Sequence, residues 1–245
     1  MKIIADTHCH TIASLHAYST ILENVKEAAK QGLYAIAITD HSTNMQEPPG
    51  MWYFANMKVI PRNILGVDIL RGIESNVLNS NGDLDLPNFQ KNFPFKLDWV
   101  IASVHDTTYS GGRRIEECTQ AWLTVSKNPL VNVVGHSGLP NFVYDYETVI
   151  PEFGRNGKLV EINNSSFDVR LGSYENCKKI ALLCKKHNVS IVVNSDAHFC
   201  MQVGRFDKAL ALLKEIDFPE ELIINADVDR FNKHLEKYTS FFSQV

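Results

Sequence analysis

The chain has 245 residues, 44% hydrophobic and 21% charged, with a formal net charge of −4 and a pI near 6.1. This composition describes an ordinary globular protein with ample material for a core, and it excludes a disordered chain. The acidic balance offers no general attraction for extended nucleic acid, and no run of lysine or arginine exceeds two residues.

The N-terminal segment MKIIADTHCH lacks the long apolar stretch of a signal peptide, and polar residues interrupt every later apolar run before it reaches membrane-spanning length. A soluble, cytoplasmic protein with no membrane partner is therefore expected. Short β-branched runs then alternate with helix-like segments. The runs are KIIA (2–5), YAIAIT (34–39), ILRGI (69–73), WVIASV (99–104), VNVVG (131–135), KLVEIN (158–163), SIVVNS (190–195) and an eighth candidate, LIINA (222–226). Runs that are apolar almost throughout suit a parallel sheet buried on both faces.

The first helix is predicted to start at Thr20, where TILE has the form of a capping box, and to stop near Gly32. Further helices are predicted at 115–127, 145–154, 174–187, 206–215 and 228–241. Asn81-Gly82, between alternating residues, predicts a β-hairpin with a tight primed turn. Repeated βα units point to an α/β barrel or a doubly wound sheet, and barrels of about 200 to 250 residues form one domain. Residues 1–245 are read as that single domain.

The five cysteines (Cys9, Cys118, Cys177, Cys184 and Cys200) are odd in number and show no C-x-x-C spacing, which suggests neither a disulfide framework nor a thiolate zinc site. Histidines and carboxylates tell more. The first predicted strand is followed by Asp6, His8, His10 and His16, and the second by Asp40 and His41. Glu74 follows the third, His105 the fourth, His136 the fifth, and Asp196 with His198 the seventh. In a parallel α/β barrel all these positions converge on the C-terminal face.

Imidazole nitrogen and carboxylate oxygen suit zinc, manganese or iron, and a carboxylate can bridge two cations. The ligand number exceeds what one ion needs, and would serve three if Glu74 bridges. Asp6 and Asp40 stand beside candidate ligands, either to fix ring tautomers or to cap the strand ends. His187 and His234 fall on predicted helices and are read as surface residues.

The stretches DTHCHT with His16, TDH at 39–41, GIE at 72–74, His105, GHSG at 135–138 and SDAH at 195–198 resemble the PHP (polymerase and histidinol phosphatase) superfamily. The segments MWYFANMKVIPR, ILRGIESN, LVEINNSSF and DFPEELIIN are similar to its YcdX-like phosphatase branch. This resemblance implies a distorted (β/α)7 TIM-like barrel with three divalent metal ions, zinc first and manganese or iron next, at the C-terminal ends of the strands. It implies one ion on His8, His10, Glu74 and Asp196, a second on Glu74, His105 and His136, and a third on His16, His41 and His198. Catalysis would then rest on Glu74, Asp196 and His198. The implied reaction is hydrolysis of a small phosphate monoester by a metal-bridging hydroxide. No ligand of the pattern is missing. The stretches VHDTTYSGGRR, GHSGLP and HFCMQVGRFD depart from it and leave the substrate open.

Around this centre, Asp106 and Tyr109 are candidates to protonate the leaving group. Arg113, Arg114, Arg170 and Arg205 are candidates to clamp phosphate, with Arg205 first, and Asn163 and Asn164 to hydrogen-bond substrate. Trp52, Tyr53 and Phe54 would cover the pocket, form a subunit contact in a homo-oligomer, or simply pack their loop. Three rival functions stand beside the phosphatase. One is a PHP-type nucleotide phosphoesterase or nuclease. Another is an amidohydrolase, whose two-metal pattern shares H-x-H but does not call for His16, His41 or Glu74. The last is a metal-dependent binding domain without turnover.

Overall fold

The computed structural model describes residues 1–46, 48–86 and 96–243. Seven parallel strands follow one another around the sheet: β1 (Ala5–Cys9), β2 (Ala35–Ile38), β4 (Val67–Asn76), β5 (Trp99–Ser103), β6 (Val133–Val134), β7 (Leu159–Asn163) and β8 (Ile191–Asn194). A short β3 (Asn63–Ile64) pairs antiparallel with the start of β4. Packed outside are α1 (Ile21–Lys30), α2 (Met51–Ala55), α3 (Ile115–Lys127), α4 (Tyr146–Arg155), α5 (Ser166–Val169), α6 (Ser173–His187), α7 (Asp207–Glu215) and α8 (Val228–Tyr238). This is a nearly closed, distorted α/β barrel. Among the described residues no helix is long and apolar enough to cross a membrane.

The inward face of the strands changes character along its length. Leu70, Trp99, Ile101, Val133, Leu159 and Val192 form one buried apolar cluster, sealed from below by Phe231 and Leu235 of α8. Because side chains alternate with period two, the same face continues upward through Glu74 on β4, Glu161 on β7 and Asn194 on β8. The opposite strand face packs against the helices in the larger cluster, with Ile36, Ile38, Ile69 and Val193 among its members. The lower half of the lumen is thus an apolar floor and the upper half is polar.

The capping box at Thr20 forms as expected, with Glu23 reaching back to the Thr20 backbone, and Gly32 takes φ +69 just beyond α1. Boundaries moved elsewhere. β1 begins later than expected and runs to Cys9, so Asp6 and His8 lie within the strand rather than after it. The hairpin near residue 80 forms, with Val77 bridged to Leu84, but its loop is wider than a two-residue primed turn. Leu78 N donates to Asp83 O, Asn79 Oδ1 accepts from Asn81 N, and only Gly82 takes a positive φ, so Asn81 needs no left-handed conformation.

The predicted eighth strand does not form. Residues Glu220–Leu222 and Ile224–Ala226 make 3-10 turns, joined to the sheet by one bridge between Ile191 and Ile223. The reason lies in the Asn225 side chain, which takes the place of a strand at the seam between β1 and β8. Its Nδ2 donates to Ala5 O at 2.8 Å and Val193 O at 2.6 Å, and its Oδ1 accepts from Val193 N at 3.0 Å. Above it, Asn194 Oδ1 accepts from Thr7 N at 2.9 Å, and His10 N donates to Ala197 O at 2.8 Å. The barrel closes through asparagine amides rather than a full ladder.

His234 corrects a second expectation. It is 7% exposed, on the face of α8 that packs against Trp99, with ring centroids 5.9 Å apart. A helical position showed only its spacing, not the aromatic neighbour that buries it. His187, at the end of α6, is exposed as expected.

Two outcomes follow from these contacts. Asn225→Leu leaves three buried backbone groups without partners, each worth about 1–3 kcal/mol, so denaturant unfolding should show a loss of about 3 kcal/mol or more. Burial, and then Lys237, lower the His234 pKa to about 4. A lowered pKa means stability present above pH 6.5 and lost as pH falls toward 4. In unfolding measured across that range, His234→Gln should flatten this part of the slope.

Candidate metal centre

Glu74 sits near the end of β4, wholly buried, with five imidazoles around its carboxylate. Oε1 lies 2.9 Å from His136 Nε2, 3.4 Å from His8 Nε2 and 3.5 Å from His105 Nε2. Oε2 lies 2.8 Å from His41 Nδ1 and 3.5 Å from His10 Nε2. Asp196 forms a second focus, its Oδ1 3.3 Å from His10 Nε2, 3.5 Å from His8 Nε2 and 3.6 Å from His198 Nδ1. His16, on the exposed loop after β1, brings Nε2 to 3.1 Å from His41 Nε2 and stacks on His198. The nine candidate ligands of the sequence thus meet in one cluster.

Donor atoms fall into three overlapping sets: His8, His10 and Glu74; His41, Glu74 and His105; and His10, His41 and His198. Glu74, His10 and His41 each belong to two. The backbone bends to make this possible, since His136 has φ +24 and Asp196 φ +57. For residues other than glycine such conformations cost energy and cluster at functional sites.

Behind the candidate ligands stands a layer of orienting groups. Glu161, buried on β7, accepts from His8 Nδ1 at 2.7 Å, from His136 N at 2.8 Å and from Asn194 Nδ2 at 2.8 Å. Sequence reading passed over this residue because LVEIN counts as an apolar strand. The signal was there nonetheless, as one carboxylate inside a strand buried on both faces needs a partner. Asp40 reaches the candidate ligand rings only through other side chains. It accepts from Thr11 N at 2.7 Å, Tyr53 Oη at 2.6 Å and Ser14 Oγ at 2.7 Å, and Ser14 Oγ lies 3.4 Å from His10 Nδ1. Asp6 accepts from Ser195 N at 3.1 Å and Gly204 N at 2.9 Å, so it pins the loop that carries His198.

Electrostatics agree with this arrangement. Burial alone would raise the Glu74 carboxyl, yet His8, His105 and His41 hold it well below the usual range. Asp196 is lowered in the same way, against burial, by His8, His10 and Arg170. Burial, then the neighbouring rings of His198 and His41, drop His10 well below its ordinary value. Burial and the rings of His41 and His198 bring His16 to about 4, and burial with Arg170 does the same for His136. His8 is the exception, since Glu161, Asp196 and Glu74 overcome burial and raise it well above 6.5.

These residues fit divalent cations. His8 Nε2, His10 Nε2, His41 Nδ1 and Glu74 Oε2 are buried without a hydrogen-bond partner, a costly state that a coordinated cation relieves. The donor set, imidazole and carboxylate, is that of zinc, manganese and iron sites.

The other sequence candidates are spread more widely. Arg170 Nη2 donates to Asp196 Oδ2 at 3.1 Å, and the residue lines a cavity of about 380 Å³ together with His16, His41, His105, Asp196 and His198. Asn163 is buried beneath it, donating to Asp196 Oδ2 at 3.2 Å and to Glu161 Oε2 at 3.1 Å. Asn164 caps α7 by accepting from Lys208 N and Ala209 N. Arg205 is exposed and lines a neighbouring cavity with Asn164, Ser165 and Gln202. Asp106 is paired on the surface with Arg113, which lies over the Phe142 ring, and Tyr109 Oη donates to Gly112 O. Arg114 binds Glu117 at the start of α3. Of the three aromatics, Trp52 is exposed, Phe54 is buried, and Tyr53 is held on Asp40.

Fold and site together define an α/β-barrel protein equipped to hold divalent cations at the C-terminal ends of its strands. Residues 6–244 match the PHP domain family, and the chain belongs to that family. Relatives named probable phosphatase come from Clostridium botulinum strain Hall, 48% identical over 236 residues and 96% of each chain, and from Acetivibrio thermocellus, 45% identical over 237 residues and 97% of each chain. Among solved structures, histidinol phosphate phosphatase from Lactococcus lactis, complexed with zinc, L-histidinol and phosphate, shares the fold. It aligns with a TM-score of 0.63 at 20% identity, over 89% of this chain and 95% of its own. The chain is a hydrolase of the PHP phosphatases.

Glu161→Gln keeps the shape of the side chain but removes the charge behind His8. Loss of such an orienting partner typically weakens metal binding about 10–100-fold. A zinc titration against a competing chelator, with the fold checked by circular dichroism, should show a weakening of that order.

Proposed function

We propose that this phosphatase hydrolyses a small phosphate monoester at three divalent cations, with zinc the first candidate. The reading assigns one ion to His8, His10, Glu74 and Asp196, a second to Glu74, His105 and His136, and a third to His16, His41 and His198. What carries it is the Glu74 carboxylate, which faces five imidazoles at 2.8–3.5 Å while its own Oε2 has no hydrogen-bond donor. A single cation with four or five ligands could not use this donor set. Sharing of Glu74 suits a bridged centre.

Bound divalent cations supply Lewis acidity toward phosphoryl oxygens and bring the pKa of a water down from about 15.7 toward 7. The chain's own residues supply the rest. Glu74 and Asp196, kept ionised by the rings around them, hold negative charge at two fixed points, Asp196 on the cavity wall and Glu74 buried among the histidines. Arg170 presents a guanidinium at the cavity wall, held by Ser166 Oγ at 3.2 Å and Asp196 Oδ2 at 3.1 Å, where its planar fork can meet a phosphoryl oxygen. His198, 26% exposed at its side chain, lines the same cavity, where its ring can meet an incoming leaving group. A cavity of about 380 Å³ is of a size that accommodates a small metabolite.

Phosphate release from a panel of small phosphate monoesters, with metal content measured on the same preparation, tests this function. Glu74→Ala should lose more metal than any other single substitution and, with it, nearly all turnover. Elemental analysis finding full metal content in Glu74→Ala would sink the bridging assignment. His187→Ala, remote on α6, should keep both metal and activity, and a large loss there would place the site elsewhere.

A further inference from the structure

β4 ends in Asn76, and this residue supports the ring of His105. Asn76 Oδ1 lies 2.7 Å from His105 Nδ1 and accepts from Thr108 Oγ1 at 3.1 Å. On its other side, Asn76 Nδ2 donates to Asp85 Oδ2 at 2.7 Å. Asp85 lies on the returning arm of the hairpin and is nearly buried. Its Oδ1 accepts from Asn76 N at 2.7 Å and Ser75 Oγ at 2.9 Å, and its Oδ2 also accepts from Asn44 N at 3.1 Å.

The proton positions follow from what each group can do. An ionised carboxylate only accepts, so the Asn76 amide must turn its NH2 to Asp85 and its carbonyl to His105. A carbonyl also only accepts, so His105 must donate from Nδ1. A neutral imidazole with its proton on Nδ1 keeps its lone pair on Nε2, the atom 3.5 Å from Glu74 Oε1. If the amide turned over, its carbonyl would face a carboxylate, and its NH2 would face a ring nitrogen then forced to carry the lone pair.

We propose that Asp85 is a positioning residue for this phosphatase, setting the tautomer of His105 through the Asn76 amide so that Nε2 is free to bind a cation. Asp85 does for His105, one residue removed, what Glu161 does for His8 by direct contact. The same residue steadies the loop that follows His41, because Ser42 Oγ donates to Asp85 O at 2.8 Å and Asn44 N to its carboxylate. The inference rests on the metal-centre reading above for its functional meaning, but the tautomer itself needs no metal.

The test is nitrogen NMR of the imidazoles in 15N-labelled, metal-free protein, with the His105 signals assigned by their loss in His105→Gln. Wild type should show His105 protonated at Nδ1. Asp85→Asn, nearly isosteric, should mix the two tautomers and weaken binding of one zinc equivalent about 10–100-fold. Combining Asp85→Asn with Asn76→Asp places a carboxylate directly behind His105 with an amide to support it, and should restore both the tautomer and the zinc affinity. Wild-type His105 protonated at Nε2 would overturn the relay, as would an Asp85→Asn protein with unchanged tautomer and affinity. Failure of the combined variant to recover what the single one lost would reduce Asp85 to a fold support and overturn it too. A wild type with the Nδ1 proton that binds no zinc would uphold the relay and overturn the metal-centre reading instead.

Discussion

Everything in the upper half of this barrel is arranged around the charge of one buried carboxylate. Glu74 is fully enclosed, and an isolated carboxylate in such a place would give up its charge rather than bear the loss of solvation. It stays ionised because rings from four other strand ends and their loops converge on it. Moving any of those strands by one residue would turn its ligand outward, so the parallel register and the site's electrostatics are a single requirement.

The barrel meets this requirement by dividing its lumen into two storeys. Below, Leu70, Ile101, Leu159 and Val192 supply apolar burial that needs no partners. Above, the same inward positions become Glu74, Glu161 and Asn194: Glu161 and Asn194 meet across the strands, and Glu74 faces the histidine rings. The storeys share one geometry and differ only in chemistry. A rigid apolar base fixes the positions of the polar groups above it.

The sequence exposed the candidate ligands better than their supports. His8, His41, Glu74, His105, His136 and Asp196 each end or follow an apolar run, so a polar residue with strong chemistry stood out against its background. Glu161, Asn194 and Asn225 lie inside such runs and were absorbed by the apolar pattern around them. Asp85 sits in a hairpin where acidic residues are ordinary, and only folding brings it back to Asn76. Arg170 and Arg205 look alike in sequence, and the short α5 alone decides that the first faces the cavity. The eighth strand failed for a similar reason, since β-propensity could not reveal that a side-chain amide would do the work of a backbone ladder.

That seam between β1 and β8 has a bearing on the molecule as a whole. The first strand and its loop carry His8, His10 and His16, and the last strand's loop carries Asp196 and His198, so the line of weakest backbone pairing runs directly beneath the cluster. A cation shared by His10 and Asp196 would be a clasp between residues almost 190 positions apart in the chain. Closing so long a loop restricts the unfolded chain far more than a local contact does, so occupancy of the centre and integrity of the ring would rise and fall together.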